Sequence, residues 1–548
     1  EVADYLYSTI DPASVDHIEI IRGAQASTIY GSDATGGVMQ IFTKHGDIGS
    51  SAPVVSGEAS MGGVQSQYAS GATLRQSYRL GVSGGTSQAS YNVGGSYERE
   101  GAWVPNYSMS TPSFFGSGRL IQGPLSIELS ARGRFDSFTR TDSPKEVALG
   151  FSQFANPVGS PAQTRQETYG VTLQYEASPV WQHRLTIGVD NEAFEYHRPH
   201  PRFRTPADTF VSVYSSNEGK RSFAYNTSYE IAPRSRWHST ITAGIDHYDY
   251  DIASFSASRA LNTSGFLTID PLSPPFLSRS TTGNTGFFAQ ALVSAYDAVF
   301  LTAGVRAERN SDFGADLKTA YSPRVGLAYV AGSSRLTFKA RASYGESTRP
   351  PYPGSKNGQY SDASVQLPNP LLGPERQHGW DAGAELHLEG VGSLSATYYD
   401  QLAIDLVDLV LVDAVSNPIQ YQNQNVGRIR NTGVELEANF GVGTVSVGGQ
   451  FSTLNSTMRR LAPFYSGDYR IGDRNLNVPK VSAGAHLTFA PTRATSLTLT
   501  LTHVGSWVNY SSLALDSLSF GGAPYRGPSG LRGYWHTFPA FTKANLSL

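Results

Sequence analysis

Segments of about ten residues in which apolar and polar side chains alternate recur from Val54 to the end of the 548-residue sequence. Successive side chains of a β-strand point to opposite faces, so each such segment has one apolar face and one polar face. Residues 431–440 and 497–502 are examples, and in residues 335–344 the apolar face consists of Leu336, Phe338, Ala340, Ala342 and Tyr344. Strands of this kind suit a transmembrane barrel, which turns one face to lipid and the other to a wet lumen.

The connections between these segments favour a membrane barrel over a large soluble β-protein, whose strands also alternate in polarity. Short turns are predicted at residues 84–88, 122–123, 178–182, 232–236, 297–298, 331–334 and 490–493. Long loops are predicted at residues 139–166, 197–220, 253–285, 346–378, 405–429, 454–479 and 506–540. Short and long connections follow one another, as in barrels whose short turns face the periplasm and whose long loops face outside.

The composition excludes several other classes of protein. Hydrophobic residues make up 39% of the sequence, yet they never form a run of about 18 that would span a bilayer as a helix. The 56 glycines, 30 tyrosines and 26 phenylalanines are typical of many strands joined by turns. The net charge of -3 gives no reason to expect nucleic acid as a partner. Without cysteine, the sequence has neither disulfides nor thiolate metal sites.

The segmentation predicts an all-β protein, a large antiparallel transmembrane β-barrel of about twenty strands, the last of them at residues 541–548. An unpaired strand edge is costly in lipid, so we expect a final hairpin to be missing from this sequence. The first ten residues lack the cationic and apolar regions of a signal peptide. We therefore expect that processing or truncation has removed it.

Residues 15–46 are denser in glycine turns and apolar strands than anything after them. A short strand at residues 18–21 and a second at residues 38–43 are separated by turns that contain Gly23, Gly31, Gly36 and Gly37. Glycine permits positive φ and close backbone approach. The pattern is typical of a compact knot of short strands, although a small β-turn motif of any kind remains an alternative.

This segment, VDHIEIIRGAQASTIYGSDATGGVMQIFTKHG, resembles the end of the plug domain of TonB-dependent receptors in its strand, RG, YG, GG and I-x-TK pattern. Four later segments resemble barrel signatures of the same family, namely residues 321–330, 338–351, 369–385 and 425–437. The resemblance implies that residues 1–48 are the C-terminal part of a plug inside the lumen. It also implies that residues 49–548 are a barrel of the 22-stranded type without its last strands. The front of the plug and the segment that engages TonB are then absent from this sequence.

For function, the resemblance implies a transporter in the bacterial outer membrane that imports a scarce large solute, such as a ferric siderophore or cobalamin. The sequence has no nucleotide-binding loop, so energy must come from outside. The resemblance implies that TonB supplies it from the inner-membrane proton gradient. We expect the partners to be TonB, the imported small-molecule ligand, and outer-membrane lipid with lipopolysaccharide, and we expect no cofactor.

A few charge pairs in a wet lumen suit a plug that must hold and then release. The resemblance implies that Arg22 of the plug faces the barrel carboxylates Asp381 and Glu435, which the alternation places on the lumen side. Asp381 is one methylene shorter than the glutamate usual in the family. Three solvated lumen residues without mutual contact remain the alternative.

Two long outer loops carry candidate substrate-binding residues. Cationic and aromatic side chains together suit a ferric siderophore, through charge and stacking. The candidates are His197, Arg198, His200, Arg202 and Arg204 in the first loop, and Arg459, Arg460, Tyr465, Tyr469 and Arg470 in the second. The same side chains also suit contact with lipopolysaccharide phosphates or water. We predict no metal site, because two histidines on a proline-rich loop are too few ligands.

Two rival functions belong to other classes of protein. A barrel enzyme needs a nucleophile with a positioned histidine, and no nucleophile motif accompanies the 12 histidines. A passive porin has no plug, so the N-terminal motif is evidence against it. The sequence therefore predicts a transporter and not an enzyme.

Overall fold

The structure is a computed structural model that describes residues 10–11, 14–46, 48–49, 52–105, 107–140, 160–201, 209–261, 267–269, 275–314, 317–352, 354–360, 364–413, 419–463, 465–492, 494–511 and 532–548. For Arg22 and for the outer ends of several strands, the description covers the backbone alone. Among the described residues, no helix is both long enough and apolar enough to cross a bilayer.

The N-terminal segment forms a small unit of two strands and three short helical turns. Strand β1 (Val15–Arg22) pairs antiparallel with β2 (Gly37–Thr43). Between them, helix α1 (Ser27–Tyr30) lies between two 3-10 turns, Ala24–Ala26 and Ser32–Ala34. We call residues 10–46 the plug segment. Its two strands lie where the sequence predicted them.

Twenty strands among the described residues form one antiparallel sheet that curves into a barrel. They are β3 (Val54–Val64), β4 (Thr73–Gly85), β5 (Ala89–Glu100), β6 (Ser108–Gln122), β7 (Leu125–Arg140), β8 (Ser160–Ser178), β9 (Trp181–Pro201), β10 (Thr209–Ile231), β11 (Trp237–Leu261), β13 (Phe276–Ala295), β14 (Val299–Asn310), β15 (Ala320–Gly332), β16 (Leu336–Arg349), β19 (Glu375–Leu388), β20 (Gly392–Ile404), β23 (Gly427–Val442), the broken strand β24 (Val445–Thr453) and β25 (Asn455–Leu461), β26 (Val481–Thr492), β27 (Thr495–Val504) and β30 (Phe541–Ser547). The all-β class and the expected number of strands are confirmed.

Smaller strands lie in the long connections. A four-stranded sheet consists of β17 (Gln359–Tyr360), β18 (Ser364–Leu367), β22 (Ile419–Asn425) and β21 (Val407–Asp413). The three-residue β12 (Leu267–Ile269) pairs with the end of β11, and β28 (Trp507–Tyr510) pairs with β29 (Trp535–Phe538). The long-loop side of the barrel therefore carries structure of its own.

Alternating polarity becomes alternating exposure in the barrel wall. Along β15, Tyr321, Val325 and Leu327 are exposed on the outer face, whereas Ser322 between them is buried on the inner face. Aromatic residues cluster beside the short turns, where Trp181 packs edge-on against Tyr229 at 6.4 Å between ring centroids. Tryptophan and tyrosine prefer this level of a membrane protein, at the boundary between hydrocarbon and water. The outer face is therefore built for lipid.

Three strands are much longer than a membrane requires. β9, β10 and β11 have 21, 23 and 25 residues, whereas about 9–11 residues cross a bilayer as a tilted strand. The loop bounds predicted at 197–220 and 253–285 are therefore wrong, because paired strands continue through much of both ranges. The sequence also missed two short turns, at residues 389–391 and 443–444.

The first and last barrel strands differ from the others in exposure. Every residue of β3 except Val64 is exposed, and so is every residue of β30. The described registers pair β3 with β4 and β30 with β27. The division of the chain at residue 48 and the need for a further hairpin stay predictions.

We predict that an arginine is tolerated on the lumen face and not on the lipid face. Leu436→Arg places a cation in hydrocarbon and should cost about 2–4 kcal/mol, the range for positions near the bilayer midplane. Ser395→Arg is the control, because Ser395 lies in register with Glu385 and Glu437 on the neighbouring strands. Urea titration of folding into lipid vesicles measures both, and equal costs would contradict the assignment of faces.

Candidate functional site

Two glycines of the plug segment have backbone conformations that other residues rarely reach. Gly23 has φ 73° and ψ 178°, and Gly31 has φ 87° and ψ -171°. A side chain in this region costs about 1–3 kcal/mol. Gly37 also has a positive φ, of 117°, whereas a Cβ added to Gly36 meets nothing within 4 Å. The turns therefore depend on Gly23, Gly31 and Gly37 and place no such demand on Gly36.

The turns around α1 lie directly against the inner face of the wall. The Thr28 hydroxyl donates to the Ser322 carbonyl at 2.9 Å, and the Ser32 N–H donates to Glu308 Oε1 at 3.2 Å. A Cβ added to Gly345 would lie 2.5 Å from the Cα of Gln25. Strand β16 therefore has a glycine where the plug backbone touches it.

A buried ion cluster in the wall lies beneath this contact. The Arg306 guanidinium binds both carboxylate oxygens of Asp246 at 2.6 Å and Glu308 Oε2 at 2.6 Å, and its side chain is 1% exposed. A Cβ on Gly31 of the plug would lie 3.0 Å from this guanidinium, and one on Gly286 of the wall only 1.8 Å. The absence of side chains at Gly31 and Gly286 therefore makes room for the cluster.

A second set of contacts attaches both ends of the plug segment to strands β4 to β6. Asp11 lies 3.5 Å from Arg79. At the other end, the carbonyl of Lys44 accepts from the Ser117 hydroxyl at 2.8 Å and from the Asn92 amide at 3.2 Å. The plug segment therefore reaches from one part of the wall to another, and its contacts within the described residues are mostly single hydrogen bonds.

A cavity of about 470 Å³ lies between the plug segment and the wall. It is on the long-loop side, because Arg349 and Tyr352 at its rim end strand β16 and begin the connection that follows it. The Lys220 ammonium lies 4.1 Å from the Tyr248 ring centroid and 3.8 Å from Asp33 Oδ2 of the plug. A volume of this size falls within the range of small-molecule sites, about 300–1,000 Å³.

Tyrosines form much of the cavity lining. The Tyr250 hydroxyl is hydrogen-bonded to Glu218 and lies 3.1 Å from the Tyr352 hydroxyl, so it joins the wall to the outer connection. Tyr30 of the plug lines the same cavity. Burial raises the pKa of Tyr30 further above its ordinary value, so its hydroxyl remains a hydrogen-bond donor well into the alkaline range. The cavity thus offers flat rings together with the charged groups of Lys220 and Arg349.

Residues 128–548 match the family described as TonB dependent receptor-like, beta-barrel. The chain belongs to the TonB-dependent receptor family. It is therefore an outer-membrane β-barrel protein, as the sequence predicted.

Two members of this family are similar to the chain at low sequence identity. It is 24% identical over 449 residues to the vitamin B12 transporter BtuB of Vibrio cholerae serotype O1, which covers 80% of this chain and 62% of that protein. It is 27% identical over 341 residues to the rhizobactin receptor of Rhizobium meliloti, which covers 55% of this chain and 43% of the receptor. The chain thus spans less than two thirds of the length of these relatives.

Among solved structures, the siderophore receptor PirA from Acinetobacter baumannii superimposes on 97% of this chain and 78% of its own. The TM-score is 0.71 and the sequence identity 14%. At this identity the likeness concerns the fold alone. It agrees with the barrel and the internal segment described above.

The structure gives a different outcome for each of the three residues predicted to join plug and barrel in this TonB-dependent receptor. The side chain of Arg22 lies outside the described residues, so its pairing stays a prediction. Asp381 binds Arg341 of the wall at 2.7 Å and accepts from Gln25 of the plug at 3.2 Å. Glu435 is half-buried in β23. The structure therefore brings Asp381 to the plug segment, with Gln25 as its neighbour there.

The candidate residues of the first outer loop are only partly described. His197 lies in β9, where its Nε2 is 2.6 Å from Glu195 Oε1. Arg198 and His200 belong to the same strand, but their side chains lie outside the described residues, as do Arg202 and Arg204 altogether. Their role in substrate binding stays a prediction.

The structure describes the side chains of the candidate residues in the second outer loop. Tyr465 and Tyr469 pack against a small core of Val426, Ile429 and Met458, and burial raises the pKa of Tyr469 to about 12. Arg459 is exposed at a bulge, where the register between β23 and β25 shifts. None of these three residues lines the cavity, and their role in substrate binding stays a prediction.

Sequence reasoning missed the cluster of Arg306, Glu308 and Asp246. A signal was present, because Arg306 and Glu308 alternate with Val305 and Ala307 and so share the lumen face. Asp246 is two strands away, and the registers of β11, β13 and β14 place it in line with Gly286 and Glu308, within reach of the Arg306 side chain. A local sequence pattern does not tell which residues of neighbouring strands are paired.

We predict that Arg306→Leu destabilises the protein by about 3–5 kcal/mol, because it leaves two carboxylates without their cation at a buried site. Arg309→Leu is the matched control, since Arg309 is exposed on the same strand. Urea denaturation of the purified protein measures the difference. A loss below 1 kcal/mol in Arg306→Leu would show that the cluster is not structurally important.

The glycine pair Gly31 and Gly36 gives a second test. Gly31→Ala should displace the plug segment from the wall, because the backbone conformation disfavours a side chain and Arg306 is close. Gly36→Ala should have no effect, because its Cβ enters open space. The readouts are conductance in planar bilayers and sensitivity of cells to a large antibiotic. Equal behaviour of the two variants would contradict the seating of Gly31.

Proposed function

We propose that the protein is a TonB-dependent active transporter that imports a scarce, large solute across the outer membrane. The observation that carries this proposal is the position of the plug segment, which is held to the inner wall by few contacts and borders a cavity on the long-loop side. A ligand that enters from outside meets plug and wall together in this cavity. Binding is then able to affect the plug directly.

The energy source that we propose is mechanical and external. The sequence holds no nucleotide-binding loop, and a barrel of this width needs a plug against leakage. Family membership supports TonB, driven by the inner-membrane proton gradient, as the partner that moves the plug. Outer-membrane lipid and lipopolysaccharide are the proposed surroundings of the exposed aromatic and aliphatic wall.

For the cargo we propose a ferric siderophore, with cobalamin as the alternative. The names of the relatives support both, because one is a vitamin B12 transporter and another is a rhizobactin receptor. The cavity lining of tyrosines with Lys220 and Arg349 suits a siderophore through stacking and charge. Neither the relatives nor the lining points to an enzymatic reaction.

We predict that cells which produce the protein with a TonB-engaging segment and a full plug take up radiolabelled ferric siderophore or cobalamin only when they are energised. Removal of TonB, or addition of an uncoupler of the proton gradient, should reduce uptake to background while surface binding persists. Cells without the protein are the control. Uptake that survives both treatments would identify a passive channel, which is the second candidate function.

A further inference from the structure

We propose that Lys220 senses the ligand in the cavity by exchanging its ionic partner, Asp33 of the plug, for an anionic group of the ligand. The inference rests on the proposed import function. To that function it adds the expected charge of the ligand and a physical contact through which ligand binding affects the plug. Lys220 is then a specificity-determining residue of the wall, and Asp33 is the group that it releases.

The contact between Lys220 and Asp33 is suited to exchange. The Nζ to Oδ2 distance of 3.8 Å is too long for a hydrogen bond, and the Asp33 side chain is 56% exposed. An ion pair with so exposed a partner contributes little stability. The Tyr248 ring, 4.1 Å from the ammonium, also holds Lys220 at the cavity surface, and the Tyr248 hydroxyl is itself hydrogen-bonded to Asp33. The cation therefore stays in place when its partner changes.

The charges of the lining favour an anion. The charged lining residues are Asp33, Lys220 and Arg349, and Arg349 lies 3.7 Å from Glu375. Once Asp33 turns away, two cations face the cavity with no carboxylate of the lining between them. The rings of Tyr248 and Tyr250 add flat surfaces. The ligand class that fits is an anionic solute with aromatic faces.

The exchange of ionic partners at Lys220 also weakens the attachment of the plug to the wall. Asp33 belongs to the turn Ser32–Ala34, and the N–H of Ser32 donates to Glu308 in the wall. Loss of the attraction to Lys220 removes one of the contacts that hold this turn. The contacts of Lys44 with Ser117 and Asn92 lie elsewhere on the wall and stay unchanged. Ligand binding therefore loosens the plug on the side of the cavity.

The test measures binding of four probes to the purified protein in detergent by equilibrium dialysis. The probes are the anionic aromatic complex of iron(III) with 2,3-dihydroxybenzoate, anionic ferric citrate, cationic ferrioxamine B and neutral cyanocobalamin. We expect the aromatic anion to bind most tightly. Lys220→Met should weaken its binding by about tenfold or more. Lys339→Met is the matched control, because Lys339 is a wall lysine paired with Glu385 at 3.2 Å and does not line the cavity.

The Asp33→Asn variant separates exchange from a merely structural ion pair. Removal of the competing carboxylate should tighten binding of the aromatic anion by up to about fivefold. The same change in a Lys220→Met background should have a smaller effect, because it then removes only the direct repulsion between Asp33 and the anion. A purely structural pair predicts instead that Asp33→Asn weakens binding as Lys220→Met does.

Three outcomes would overturn the inference. They are weaker binding in Asp33→Asn, tightest binding of ferrioxamine B or cyanocobalamin, and failure of both anionic probes to bind. Failure of the proposed function has a different signature. In that case the probes and variants bind as expected, but uptake by cells does not depend on energy.

Discussion

The hydrogen-bonding demand of the backbone in lipid is the constraint on which this structure depends. Hydrocarbon offers no partner to N–H and C=O groups, so a chain that crosses it with strands must pair each strand with a neighbour. In the part of the chain that the structure describes, twenty strands meet this demand through antiparallel registers and curve around a wide lumen. The lumen then needs an internal segment, and the plug segment, the ion cluster and the cavity all lie there.

At the Arg306 cluster and at Asp381, the charged interactions lie within the wall, and the plug adds neutral hydrogen bonds to them. Arg306 binds two carboxylates of the wall, and the plug adds only the N–H of Ser32 to the same Glu308. Asp381 likewise has its arginine partner in the wall and the neutral Gln25 in the plug. Neutral hydrogen bonds contribute about 0.5–1.5 kcal/mol each. Movement of the plug at these contacts therefore leaves no buried charge without its partner.

The sequence predicted what depends on local pattern. Alternation and the order of short and long connections gave the barrel, and Gly23 and Gly31 were recognisable because their conformation depends on their own residue type. The ends of β9 to β11 could not be predicted from the local pattern, because strand pairing continues beyond the membrane into polar stretches of the sequence. Arg306 and Asp246 meet through registers that no single segment contains. Tyr465 and Tyr469 resembled ligand-binding residues, although aromatic side chains serve equally to pack a loop.

Among the described residues that line the cavity, the charged contact between plug and wall is the pair of Asp33 and Lys220, and it differs physically from the neutral contacts. A neutral hydrogen bond responds weakly to a charge nearby, whereas the attraction between Lys220 and Asp33 depends directly on any anion that approaches the ammonium. Its distance and exposure make it weak in the absence of ligand, so little energy opposes its replacement. A plug held by neutral contacts, by the pair of Asp11 with Arg79 away from the cavity, and by the exchangeable pair at Lys220 stays seated in the empty protein. It also responds to a charged ligand at one place, on the side from which that ligand arrives.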